Sequence, residues 1–163
     1  MVAGFAAAVW ADDLTTEAKD TKAEFLKKDA TLKKVLAKAS GYVIFPTVAK
    51  GGLGVGAARG TGQLYETGKD KPTGEATLTQ VTIGFQAGGQ AYSELILFED
   101  KTSLENFKKG NFELSAQVSA VAVTAGAGEN AKYEKGVMVL TLAKGGLMYE
   151  ASVGGQKFKY ADY

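Results

Sequence analysis

From Gly41 onward the chain is written in short apolar runs broken by glycine, and that texture constrains its fold more than any other feature. "YVIFPTV", "GEATLTQVTIGFQAG", "AYSELILF", "FELSAQVSAVAVTAG", "GVMVLTLA" and "GLMYEASVG" are rich in β-branched and aromatic residues, as strands on a half-buried pleated surface are. Glycine supplies 21 of 163 residues, well above the usual share of about 7%. Glycines inside strands allow kinks and close backbone approach, which a sheet needs in order to curl on itself. The expectation is a set of antiparallel strands curled into a barrel-like sheet.

The pentapeptide AKGGL occurs twice, at Ala49 to Leu53 and at Ala143 to Leu147, each time after an apolar run. Aligning Val43–Gly60 with Val137–Gly154 at constant offset keeps Val43/Val137, Thr47/Thr141, Ala57/Ala151 and Gly60/Gly154 in step. Two equivalent strand–turn–strand units are expected, with Gly51–Gly52 and Gly145–Gly146 at the turns. Two copies this far apart do not make a solenoid, which needs at least three contiguous repeats.

Ahead of the β body, Asp12 to Ala39 has helical periodicity. Leu14, Ala18, Phe25, Leu32 and Leu36 gather on one side, and Lys19, Lys22, Lys27, Lys33 and Lys34 on the other. Asp29 is placed to cap a second helix, so two helices rather than one are allowed. "KTSLENFKKGN" reads as a short helix between strands, with a Thr102/Glu105 capping box and Gly110 as its left-handed end. "ETGKDKPTGE" reads as a polar hairpin-type loop. The fold class is therefore α+β: a barrel-like sheet with an N-terminal amphipathic helical segment and one short helix between strands.

Residues 1–11 stand apart from a single domain over 12–163. Val2, Phe5, Val9 and Trp10 belong to a segment that is apolar all round, and Val9-Trp10-Ala11 resembles a small-residue cleavage site. No Lys or Arg precedes Lys19, so the basic start of a signal peptide is missing. Two readings stand: the remnant of a bacterial export or lipoprotein leader, or an Ala-rich helix docked on the domain.

Several chemistries are excluded by residue type. With no His and no Cys, the chain lacks imidazole bases, thiol nucleophiles and the usual zinc or copper ligands. Ser93 and Ser115 have only Lys as an activating base. No catalytic residues, metal or cofactor are expected. Gly52, Gly54 and Ala57 have the spacing of a dinucleotide fingerprint, but "RGTGQLYE" continues as a glycine-broken strand instead of opening a helix. Nineteen basic against 18 acidic residues produce no global field, and no nucleic-acid partner is expected.

The blocks "AKASGYVIFPTVAKGGLGVGAARGTGQL", "VTIGFQAGGQAYSELILFEDKTSLENF" and "LAKGGLMYEASVGGQKF" resemble, in order and spacing, the SYLF domain, a lipid-binding module. The resemblance covers about Ala37 to Phe158. Arg59-Gly60 departs from an aromatic-Gly pair, and Tyr149-Glu150 from small residues. The resemblance implies phosphoinositide binding in eukaryotic members, partly through an N-terminal amphipathic helix, and actin binding in some. In a bacterial chain it translates to anionic phospholipid at a membrane surface of the cell envelope, periplasmic and exported.

The expected function is thus a non-enzymatic lipid-binding module. Lys19, Lys22, Lys27, Lys33 and Lys34 attract headgroups, and Val2, Phe5, Val9 and Trp10 insert if retained. Lys50, Arg59 and Lys144 beside the glycine turns are secondary candidates. An ordinary solvated helix face explains the same lysines. Two other classes are a soluble carrier holding an acyl chain within the barrel, and a membrane-spanning barrel.

Overall fold

The computed structural model describes residues 2–84, 90–144 and 152–163, with side chains throughout that range except at 2–10, 52–55, 82–84 and 90. Helices α1 (Val2–Lys28) and α2 (Leu32–Lys38) lead into β1 (Gly41–Glu66), β2 (Gly74–Gly84) and β3 (Gln90–Phe98). Then follow α3 (Lys101–Lys108), β4 (Phe112–Glu113), β5 (Ala120–Ala122), α4 (Ala127–Asn130), β6 (Val137–Ala143) and β7 (Lys157–Asp162). The strands form one sheet in the order β4-β7-β2-β1-β3-β6-β5, curled into a half-barrel. The curled α+β fold is as expected. The sheet is mixed, however, because edge strand β5 runs parallel to β6.

β1 is extended from end to end, yet its two arms lie side by side. A β-carbon on Gly62 would fall on the Ile44 carbonyl oxygen, and one on Gly60 would lie 3.1 Å from the Thr47 oxygen. At the open end the Thr67 N–H donates to the Ser40 carbonyl at 3.1 Å. The first arm pairs with β3 from Gly41 to Lys50, and the second with β2 from Gly54 to Leu64, so the sheet is eight extended arms across. Gly62 is required here because two backbones meet with no room for a side chain. A register shift between Phe45 and Val48 accommodates Pro46, which has no N–H to donate to a ladder. The buried Ser93 hydroxyl donates to the Pro46 carbonyl at 2.8 Å.

Period-two alternation splits the core into two faces. Val43, Phe45, Ile96, Phe98, Val137, Val139 and Phe158 face one side, closed by Leu104 and Phe107 of α3. Ile44, Leu95, Leu97, Met138 and Leu140 face the other, covered by Ala18, Phe25, Leu32 and Leu36 of the first two helices. Inside, Phe107 lies 5.1 Å from Phe98 and 5.5 Å from Phe158, ring centre to ring centre. These tilted aromatic contacts fill the space with side chains.

The first arms of the two AKGGL copies both run antiparallel to β3, one on each side, but start two residues out of register: Val43 lies opposite Ile96 and its counterpart Val137 opposite Phe98. Ile96 pairs with Val43 on one side and Val139 on the other, and Tyr92 with Val48 and Ala143. Gly51 and Gly52 fall where β1 reverses between its arms, whereas Gly145 and Gly146 lie outside the described residues. The returning arms differ at the end where both are described. Gly60 is within a strand, but Gly154 lies in a turn against Ala116, followed by Gly155 at φ 85°.

Three local expectations are corrected. Helix α3 is capped by Asp100, whose carboxylate accepts from the Ser103 N–H at 2.8 Å; Asp100 has the extended backbone that an N-cap needs, and Thr102 is already helical. "FELSAQVSAVAVTAG" is not one strand but the short pieces β4 and β5, separated by a turn at Ala116–Gln117. β7 and α4 are additional to the expected elements.

Candidate functional site

α1 docks through Leu14, Ala18, Thr21 and Phe25, all buried. It is pinned by Gln63, whose Nε2 shares its two N–H groups among the Ala11 carbonyl at 3.1 Å, Thr15 Oγ1 at 2.9 Å and the Tyr163 hydroxyl at 2.7 Å. At the corner between α1 and α2, the buried Asp29 accepts from Thr31 N, Thr31 Oγ1, Gly126 N and Gly128 N at 2.6 to 3.1 Å. This corner fixes the angle between the two lysine-bearing helices. Asp29 ties the corner to α4 instead of acting as a simple N-cap.

Between these helices and the open end of the β1 arms runs a groove of about 490 Å³, lined by Lys22, Lys33, Lys69, Tyr42, Tyr65 and the apolar Leu26 and Leu36, with Glu66 at one side. A smaller adjoining hollow adds Lys19. Tyr42 and Tyr65 stack at 5.2 Å with an interplanar angle of 12°, and Lys22 Nζ stands 5.1 Å from the Tyr42 ring centre. Tyr65 donates to Gln63 Oε1 at 3.0 Å, and burial, with Tyr42 and Tyr163 nearby, pushes its phenol up to about 12. The Tyr65 phenol is therefore neutral. Lys69 lies 2.8 Å and Lys108 3.4 Å from Glu66. The hydrogen bond from Lys69 and the charge of Lys108 hold the Glu66 carboxyl below the usual range, against the effect of its burial. Several ammonium groups over an aromatic and apolar floor suit a ligand with an anionic head and an apolar body.

Of the lysines singled out in the sequence, Lys19, Lys22 and Lys33 are brought together here. Lys27 and Lys34 are exposed and line neither hollow. Val2, Phe5, Val9 and Trp10 sit on the first turns of α1, where side chains lie outside the described residues. Lys50 is buried at the end of the first β1 arm, and Lys144 is exposed just past β6, its N–H donating to the Ala91 carbonyl at 3.1 Å. Arg59 lines a separate groove with Asp13, Glu17 and Glu75 on the opposite flank of α1. The outer side of the helix is thus divided, with lysines toward α2 and carboxylates toward β2, and is not basic throughout. Lys69, Tyr42 and Tyr65 were not apparent from the sequence, because neither a loop lysine nor two strand tyrosines carry any periodic signal. Among the described residues no helix is long and apolar enough to cross a membrane.

Comparison with known proteins adds the family. The family described as "Ysc84: Las17-binding protein actin regulator" matches residues 79–162, just over half of the chain. The chain belongs to the Ysc84 (SYLF) family. SYLF domains are lipid-binding modules in general. The matched segment runs from within β2 through β7, so the lysine groove, built from α1, α2 and β1, precedes it. The chain is also similar to beta cell expansion factor A of Aeromonas veronii, 28% identical over 148 residues, an alignment covering 89% of this chain and 55% of the relative. It therefore spans about half the length of that curated relative.

Proposed function

We propose that this SYLF protein is a non-enzymatic module that binds anionic phospholipid at a membrane surface, that of a bacterial envelope, through the groove between α1, α2 and the β1 arms. The observation that carries the reading is the convergence of Lys22, Lys33 and Lys69 on the stacked Tyr42 and Tyr65. The ammonium groups supply attraction of about 1 kcal/mol per Lys near a charged surface, and the apolar floor gives an acyl-glycerol region something to bury against. The relative in Aeromonas veronii supports a bacterial setting. The other reading, an acyl-chain carrier, needs interior space, and the inner face is occupied by Phe45, Phe98, Phe107 and Phe158.

Co-sedimentation with phosphatidylcholine vesicles, with and without phosphatidylglycerol, tests this. The parent is expected to bind the anionic vesicles and to release them as salt shortens the Debye length. Neutralising Lys22, Lys33 and Lys69 to Gln is expected to weaken binding by up to about 100-fold. The charge-matched triple at Lys27, Lys28 and Lys34 serves as the control and is expected to lose much less. Equal losses from the two triples mean diffuse surface charge and not a site; no loss from either sinks the reading.

A further inference from the structure

Five polar side chains are buried along the inner face of the half-barrel. Tyr92 and Glu94 stand on β3, Thr141 on β6, Gln80 on β2 and Gln156 just before β7, and none is more than 5% exposed. Gln156 Nε2 donates to Glu94 Oε1 at 2.9 Å and to the Tyr92 hydroxyl at 3.3 Å. Gln80 Nε2 donates to the carbonyls of Ser152 and Gly154 at 2.9 and 3.3 Å. These acceptors fix which way each amide points. Four buried atoms then have no partner among the described residues: Glu94 Oε2, Thr141 Oγ1, Gln156 Oε1 and Gln80 Oε1. All four are oxygens, and of these only the Thr141 hydroxyl carries a proton of its own. Buried polar atoms are almost always paired, and an unpaired buried carboxylate is the costliest kind of exception.

We infer that Glu94 is an internal proton site: the folded half-barrel holds it as the neutral acid, and loss of that proton opens the sheet beside Gln156. Glu94 and Thr141 are direct cross-strand partners, yet neither Glu94 Oε2 nor Thr141 Oγ1 has a hydrogen-bond partner among the described residues, so the hydroxyl does not offset a charge on Oε2. One proton on Oε2 removes the buried charge. Ionised Glu94 keeps the bond from Gln156 but must find water for Oε2. Residues 152–156 belong to no strand and are held by Gln80 and by the Gly155–Leu114 and Leu114–Gln156 backbone bonds.

No described cation offsets the charge. Tyr92 is the titratable neighbour on β3, and burial raises its phenol further. β6 contributes the neutral Thr141, β2 contributes Leu78 and Gln80, and β1 contributes Phe45 and Val48. Lys50, the next inward residue on β1, forms no ion pair with Glu94 among the described residues. Burial pushes the Glu94 carboxyl up to about 8, against a smaller opposing effect of the Gln156 bond. A folded-state value above the unfolded one means that the folded chain holds a proton which the unfolded chain has lost. The resulting stability is complete below the ordinary glutamate value and is lost as pH rises toward about 8.

The test uses the full chain, labelled for carbon NMR of its glutamate carboxyls, with amide exchange followed over the same pH range. Glu94 is expected to titrate near 8, with protection of the amides from Val153 to Gln156 falling in step once intrinsic exchange rates are removed. Within that window the unfolding equilibrium constant should rise by about tenfold per pH unit, and Glu94→Gln, which keeps the neutral shape, should abolish the rise. Titration of Glu94 in the ordinary carboxylate range overturns the proposal, as does an unchanged pH slope in the Gln variant. So does a Glu94 signal that responds to added sodium or calcium instead of to pH, since a metal ion would then be the missing partner. If Glu94→Gln does not fold, the carboxyl titration of the unsubstituted protein decides alone.

Discussion

Asp29 shows how much a single side chain contributes to the lysine groove. Burial by itself would raise its pKa, but the hydrogen bonds from Thr31, Gly128 and Gly126 outweigh that and hold the carboxyl below the usual range. A depressed folded-state value contributes stability above the unfolded pKa, and this is lost as pH falls through the folded one. Asp29→Ala is expected to cost on the order of 3 kcal/mol, because it strands the N–H groups of Gly126 and Gly128 as well as the Thr31 turn. Urea denaturation should show that loss near neutrality and a smaller difference from the parent in acid. Gly62 makes the opposite kind of case. Its added β-carbon would strike the Ile44 backbone and lie 2.7 Å from the Phe45 ring, and Gly62→Ala is expected to destabilise by about 1–3 kcal/mol or more. A comparable change at Gly68, which has open space around it but φ 89°, tests left-handed strain without overlap.

The element that decides the candidate site is α1, and its docking has an apolar part and a polar part. Phe25 is fully buried against the outer face of the sheet; Phe25→Ala is expected to cost about 3–5 kcal/mol, read from the shift in denaturation midpoint. Gln63 acts differently, bridging the helix to the chain's last residue through Ala11, Thr15 and Tyr163. Replacing Gln63 with Leu leaves Thr15 and Tyr163 without that donor and should loosen the first half of α1 while the sheet persists. Limited proteolysis should then cut α1 ahead of Leu14 faster than in the parent, and an unchanged cleavage pattern means that the apolar contacts suffice. Because Lys19 and Lys22 ride on the same helix as the pinned turn, the variant also reports whether a held helix matters for vesicle binding.

For the molecule as a whole, the helices are the cover of one sheet face and not an appendage. A chain lacking residues 1–28 would expose Ile44, Leu95, Leu97 and Leu140, an apolar surface of the kind that drives association. It is expected to bind a hydrophobic dye and aggregate, as followed by light scattering, whereas an autonomous sheet would stay monomeric. Much of this architecture was legible in the order of residues. The switch from helical to alternating periodicity at Gly41, the polar loop at Glu66–Glu75 and the left-handed Gly110 are local signals that a few neighbouring residues settle by themselves. The clustering of β-branched residues and glycine foretold a curled sheet, because curvature requires close backbone approach wherever it occurs. Other features depend on partners far away in sequence. Nothing near Phe112 says that its strand stops after two residues, since that follows from its pairing with Phe158. Likewise, nothing around Lys69 or Tyr65 marks them as neighbours of Lys22, and Glu94 reads as an ordinary polar position in an alternating strand until Thr141 and Gln156 close over it. The sequence by itself determined the periods, the breaks and the side-chain chemistry available, because these depend on local sterics and composition. Only the tertiary structure decided which lysines share a groove, which flank of α1 is acidic and which carboxyl loses its water, because distances and desolvation are created when the elements pack.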